Sequence, residues 1–85
     1  MSHPPDLVIE ILSPSNFRRE TAAKLEDYRS IGVRECWIVS PEAQTVEVVR
    51  LSETGTEVLD IFGTGMTIRS GVLEGFTLSV DEVFA

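Results

Sequence analysis

The chain has 85 residues, 42% of them hydrophobic and 25% charged, an ordinary globular composition that excludes a disordered polar tract and amounts to one domain or part of one. Fourteen acidic residues against seven basic ones give a net charge of −7, which excludes a generic polyanion binder. No apolar run approaches the roughly 18 residues of a membrane span, so no membrane partner is expected.

The first residues, Met1-Ser2-His3-Pro4-Pro5-Asp6, lack the basic and apolar segments of a signal peptide. Asp6 to Leu12 is a β-branched, apolar run of strand length. Its two faces are both mostly apolar, which predicts a central strand covered on both sides. Ser13-Pro14-Ser15 ends it, and Ser15 or Asn16 can cap the helix predicted from Phe17 to Ile31. Gly32 stands where a C-terminal glycine belongs. Arg34 to Ser40 reads as a second strand, so strand, helix and strand form a βαβ crossover with parallel strands. Pro41 to Gln44 is a turn. Thr45 to Leu51 is a third strand, antiparallel to the second, and Glu57 to Phe62 a fourth. Met66 to Arg69 adds a short edge strand. Ser79-Val80-Asp81-Glu82 has capping-box spacing and starts a last short helix ending near Phe84. The expected class is α/β, a mixed sheet with one crossover followed by antiparallel strands, in a single domain over 1–85.

Charge is uneven along the chain. Residues 51–85 contain six acids and one base, Arg69, whereas residues 16–34 contain five bases and three acids. A nucleic-acid backbone would be met in that basic stretch, with Arg18, Arg19 and Arg29 as candidates; solvated helix charges are the plainer reading. The lone Cys36 cannot form an internal disulfide, which favours a reducing cytoplasm. With no histidine beside it, Cys36 reads as core, as do Trp37 and Tyr28. His3 is a lone histidine with little claim to chemistry. A chain this short buries only about 60% of its unfolded surface, so self-association, most simply a homodimer, is expected.

Two charges sit in apolar places. Glu10 lies between Val8 and Leu12 on one strand face, where a carboxylate must be paired, metal-bound or near enough to the strand end to reach water. On a helical wheel Lys24 falls inside the apolar stripe of Phe17, Thr21, Leu25, Tyr28 and Ile31. Its ammonium either snorkels outward, pairs with Glu20 one turn earlier, or reaches Glu10 across the helix–sheet interface. A carboxylate with a lysine suits Mg²⁺-assisted phosphodiester cleavage. Asp6 shares the strand face of Glu10, but four strand residues separate the two by about 13 Å, so one ion between them is not expected.

The run Pro5-Asp6-Leu7-Val8-Ile9-Glu10-Ile11-Leu12-Ser13-Pro14-Ser15 continues through Arg19-Glu20, Lys24-Leu25, Tyr28, Gly32-Val33, Glu35, Trp37-Ile38-Val39 and Pro41. It closes with Gly75-Phe76 and Asp81-Glu82-Val83-Phe84. In order and spacing this resembles the Uma-two family, bacterial restriction-endonuclease-like proteins similar to the PD-(D/E)xK nucleases. The resemblance implies a restriction-endonuclease-like core, a DNA endonuclease activity and a Mg²⁺ cofactor. It makes Glu10 the acid of the glutamate-x-lysine strand, with Leu12 where the lysine would stand and Lys24 as its replacement on the helix. It further implies that this chain is the C-terminal half of such a domain. A preceding aspartate would be the second metal ligand, with Asp6 the weaker candidate here. Cys36 stands where tyrosine is common in the family, and Ser40 where aspartate is common. The rival reading is a non-catalytic module, derived from that fold, that binds a protein or a second copy of itself.

Overall fold

A computed structural model describes residues 5–13 and 18–85. His3 and the proposed helix caps Ser15 and Asn16 lie outside the described residues, as do the side chains of Arg18 and Arg19. The elements run β1 (Leu7–Ile11), α1 (Arg18–Ser30), β2 (Glu35–Ser40), β3 (Thr45–Ser52), β4 (Gly55–Phe62), β5 (Thr67–Arg69), β6 (Thr77–Ser79) and α2 (Val80–Val83).

β1 and β2 pair in parallel across the α1 crossover, with Glu10 beside Ile38 and Ile9 beside Trp37. β2, β3 and β4 follow as an antiparallel meander, giving the order β1-β2-β3-β4. The β3–β4 register slips between Val48 and Val49, so that Leu59 has no opposite residue, the count of a bulge.

This order corrects the expectation that the first strand is central. Among the described residues β1 has one neighbour and is an edge strand, with Ile9 and Ile11 54% and 64% exposed. The central position belongs to β2, whose residues Glu35 to Val39 are all buried. Continuous apolarity marked both strands alike. Flanking cover, not sequence, distinguishes them.

Each sheet face has its own core. Val33, Cys36, Ile38, Val49 and Leu51 are buried on the side of α1, against Leu25, Tyr28, Val8 and Leu12. On the opposite face Trp37, Val39, Val46, Val48 and Phe62 pack with Ile68 and Val80. That second layer is a two-stranded sheet of β5 and β6 joined to α2. β6 has only three residues, which leaves no readable periodicity, and β5 pairs with it instead of extending the main sheet. Ser79 is the N-cap of α2 as expected, but its side chain makes no capping bond.

α1 ends as the glycine predicts. Gly32 has φ +96°, its N–H donates to Arg29 O, and Val33 N–H donates to Tyr28 O. This pair of bonds satisfies the last helical carbonyls in a Schellman arrangement, and the reversal feeds the chain into β2.

Candidate active site

Period-two alternation turns Glu10 toward the helix-covered face together with Val8 and Leu12. Lys24 and Tyr28 are one turn apart on α1 and so project from the same side of the helix. The three side chains meet. Lys24 Nζ donates to Glu10 Oε1 at 2.7 Å, and Tyr28 Oη donates to Glu10 Oε2 at 2.6 Å. Each carboxylate oxygen therefore has its own donor.

The contact is at the rim of the helix–sheet interface: the Glu10 side chain is 14% exposed and that of Lys24 48%. Lys24 is thus less enclosed than its place on the wheel suggests. Lys24 is an exposed residue, and its ammonium reaches back to the strand at Glu10. Ile31, at the end of the same stripe, is exposed.

The electrostatics follow from these bonds. The Lys24 bond, then the Tyr28 bond, hold the Glu10 carboxyl below its ordinary value, against the opposing effect of burial. The same carboxylate raises Lys24 and, with some burial, pushes the Tyr28 hydroxyl up to about 12. At neutral pH the cluster is an ionised acid, a protonated amine and a neutral phenol. Such an acid can accept a proton or hold a cation. Such an amine can neutralise a phosphate oxygen but cannot act as a base.

The remaining sequence candidates are elsewhere. Asp6 Oδ1 lies 3.9 Å from Arg34 Nη1, both exposed, and the Asp6 carbonyl accepts from Arg34 N and Glu35 N. Arg29 forks onto Glu26 through Nε and Nη2, while its Nη1 donates to the carbonyls of Ser52 and Glu53. Its guanidinium fastens the end of α1 to the β3–β4 turn. Arg18 and Arg19 open α1.

The donor set does not by itself fit Mg²⁺. That ion demands near-octahedral oxygen coordination and is usually held by carboxylates together with substrate phosphates and water. Glu10 is the single acid of the cluster, with both oxygens already engaged. Among the described residues no group of three or more His, Cys, Asp or Glu side chains is placed to hold a metal ion.

Sequence reading placed Tyr28 in the core and gave Glu35 no role. Tyr28 is half-buried and bonded to Glu10. Glu35 is 1% exposed. Its Oε2 accepts from Trp37 Nε1 at 2.8 Å and Ser70 Oγ at 2.6 Å, and its Oε1 accepts from Gly71 N at 2.8 Å. A Cβ on Gly71 would lie 3.1 Å from Glu35 Oε1, a tight contact that glycine avoids. The available signal was alternation, which puts Glu35 on the face of Trp37 and Val39. A shallow cleft of about 320 Å³ adjoins Glu35. The two guanidinium groups lining it, Arg34 and Arg50, face Asp6 and Glu57, and Glu10, Lys24 and Tyr28 do not line it.

Comparison with known proteins gives a family and a structural neighbour. The family model Uma2, the Uma-two family named above, is described as "Putative restriction endonuclease" and matches residues 1–81. A solved structure described as a putative nuclease belonging to DUF820, from Anabaena variabilis ATCC 29413, superposes with a TM-score of 0.69 at 28% identity over 93% of this chain. The chain spans 43% of that protein's length, less than half of it. No curated protein matches the sequence. The mixed α/β architecture is therefore that of a nuclease-fold neighbour. No described helix is long and apolar enough to cross a membrane.

Proposed function

The chain belongs to the Uma2 family, and on that premise we propose that it carries the acid and the lysine of a nuclease site that hydrolyses phosphodiester bonds in DNA. The observation that carries this reading is the 2.7 Å pair between a strand glutamate and a helix lysine 14 residues away, inside the βαβ unit. Glu10 stays ionised and Lys24 stays charged, so a phosphate entering at the rim meets a cation beside a carboxylate that can take a proton. Tyr28 orients the carboxylate. With its proton held up to about 12, its phenol is not a nucleophile at neutral pH. Arg18 and Arg19, at the start of α1, are the residues we assign to backbone contact. Metal dependence requires a further carboxylate that the described residues do not bring to Glu10.

A plasmid-nicking assay with Mg²⁺ and Mn²⁺ tests this, using the 85-residue chain and the longest reading frame that contains it. The chain alone is expected to cut poorly. The longer form is expected to cut, and Glu10→Gln or Lys24→Met to lose about 100-fold or more of that activity. Inactivity of the longer form, or cutting that survives both substitutions, overturns the reading.

One observation favours a second reading, a self-associating module. The outer edge of β1 is unpaired among the described residues, and an open edge recruits strands.

A further inference from the structure

We propose that Arg29 is a positioning residue for the Glu10–Lys24–Tyr28 cluster: from the other flank of α1 it holds the helix at the roll angle that brings Lys24 and Tyr28 onto Glu10. Its effect on cleavage rests on the nuclease reading; its effect on the cluster does not.

Lys24 and Arg29 stand five positions apart on α1, so their side chains leave the helix about 140° apart. Leu25 and Tyr28 fall between them on the wheel. These two are half-buried and pack on the core of Val33, Cys36, Ile38, Val49 and Leu51. Lys24 therefore reaches over one flank of the helix–sheet contact, to Glu10 on β1. Arg29 reaches over the other, to the β3–β4 turn. In the sheet order, β1 and the β3–β4 hairpin lie on opposite sides of β2. A helix gripped on both flanks cannot roll about Leu25 and Tyr28 without breaking one grip.

The Arg29 grip is directional. Its Nε and Nη2 donate to the two oxygens of Glu26 at 2.9 and 2.7 Å. Its Nη1 donates to the carbonyls of Ser52 and Glu53, each at 3.2 Å. All three guanidinium nitrogens are thus engaged, and little of the donor set remains for a phosphate. A cation in the last turn of a helix is favourable through the dipole alone, but that attraction fixes no roll angle, whereas a planar fork does. The receiving turn is itself well defined. Ser52 pairs with Gly55, which has φ +134°, and Ser52 Oγ lies 2.9 Å from Thr54 Oγ1.

Tyr28, the single tyrosine, reports on the cluster from a distance. The intensity ratio of its Raman Fermi doublet changes with the hydrogen bond that its hydroxyl donates, and Glu10→Ala supplies the value for a broken contact. Arg29→Met should move the ratio most of the way to that value while far-UV circular dichroism stays that of the folded chain. Arg29→Lys keeps the charge at the helix end but offers one nitrogen in place of the fork. It should move the ratio in the same direction, and decides the matter if the methionine variant does not fold. In the longest reading frame that contains the chain, Arg29→Met should lower kcat about tenfold and leave KM within about twofold. A folded Arg29 variant with an unchanged ratio overturns the proposal, whether or not stability falls. So does a rise in KM at unchanged kcat, the mark of a lost phosphate contact. A ratio that moves in a protein whose longer form cuts no DNA upholds the positioning role and overturns the nuclease reading instead.

Discussion

Glu10 and Glu35 are both carboxylates on apolar strands, and their surroundings give them opposite uses. Glu10 sits at the rim, where its partners are side chains that can exchange for a substrate. Glu35 is enclosed by Trp37 Nε1, Ser70 Oγ and Gly71 N, three donors that tie the 70–73 loop to β2. Removing Glu35 would leave buried donors unmatched, so Glu35→Ala should cost about 1–3 kcal/mol or more. Urea denaturation followed by the fluorescence of Trp37, the single tryptophan, reads both the loss and the altered indole environment. Glu10 was legible because a charge interrupts two apolar patterns that adjoin in the crossover. Glu35 was not, because two of its three partners, Ser70 and Gly71, come from 35 and 36 residues further on. At Glu10 the folded carboxyl lies below its ordinary value of 4.5. Its contribution is then complete above that value and is lost as pH falls through the folded one. Glu10→Gln should flatten the acid limb of a stability-versus-pH curve below about pH 4.5, measured by urea midpoints.

At the scale of elements, local signals set boundaries well and partners poorly. α1, β2, β3 and the positive-φ glycine after α1 stand close to where pattern and turn chemistry put them. Gly32→Ala forces a Cβ into a left-handed backbone and should cost about 1–2 kcal/mol, read by thermal unfolding. The cap of α2 shows the reverse. The Ser79-x-x-Glu82 spacing is present, but the hydroxyl makes no capping bond. Ser79→Ala should therefore change stability by less than about 0.5 kcal/mol, where a working serine cap is worth roughly 1 kcal/mol. The β5–β6 sheet was hidden for a different reason. Strands of three residues bury one side chain each at most, and their pairing is set by contact with the Trp37 face.

For the whole molecule, the decisive arrangement is the docking of α1 on a sheet whose first strand is an edge. An edge position leaves Glu10 near water, which is why a glutamate survives there, and it leaves Ile9 and Ile11 uncovered. The apolarity of β1 suggested cover on both sides; among the described residues the order β1-β2-β3-β4 gives it a partner on one side only. The central claim is that this docking brings Glu10, Lys24 and Tyr28 into one cluster, and the chain reports on it unaided. Tyr28 is its single tyrosine, so an ultraviolet absorbance titration follows one phenol. Free phenol ionises near 10.0, whereas Tyr28 bonded to Glu10 should do so near 12. The raised value also means that the hydroxyl's contribution to stability is whole below the free value and is lost as pH rises through the folded one. The account predicts little phenolate up to about pH 11 while circular dichroism remains folded, and a return toward the ordinary value in Glu10→Gln. A folded wild-type chain whose tyrosine ionises near 10.0, unchanged by Glu10→Gln, would contradict it.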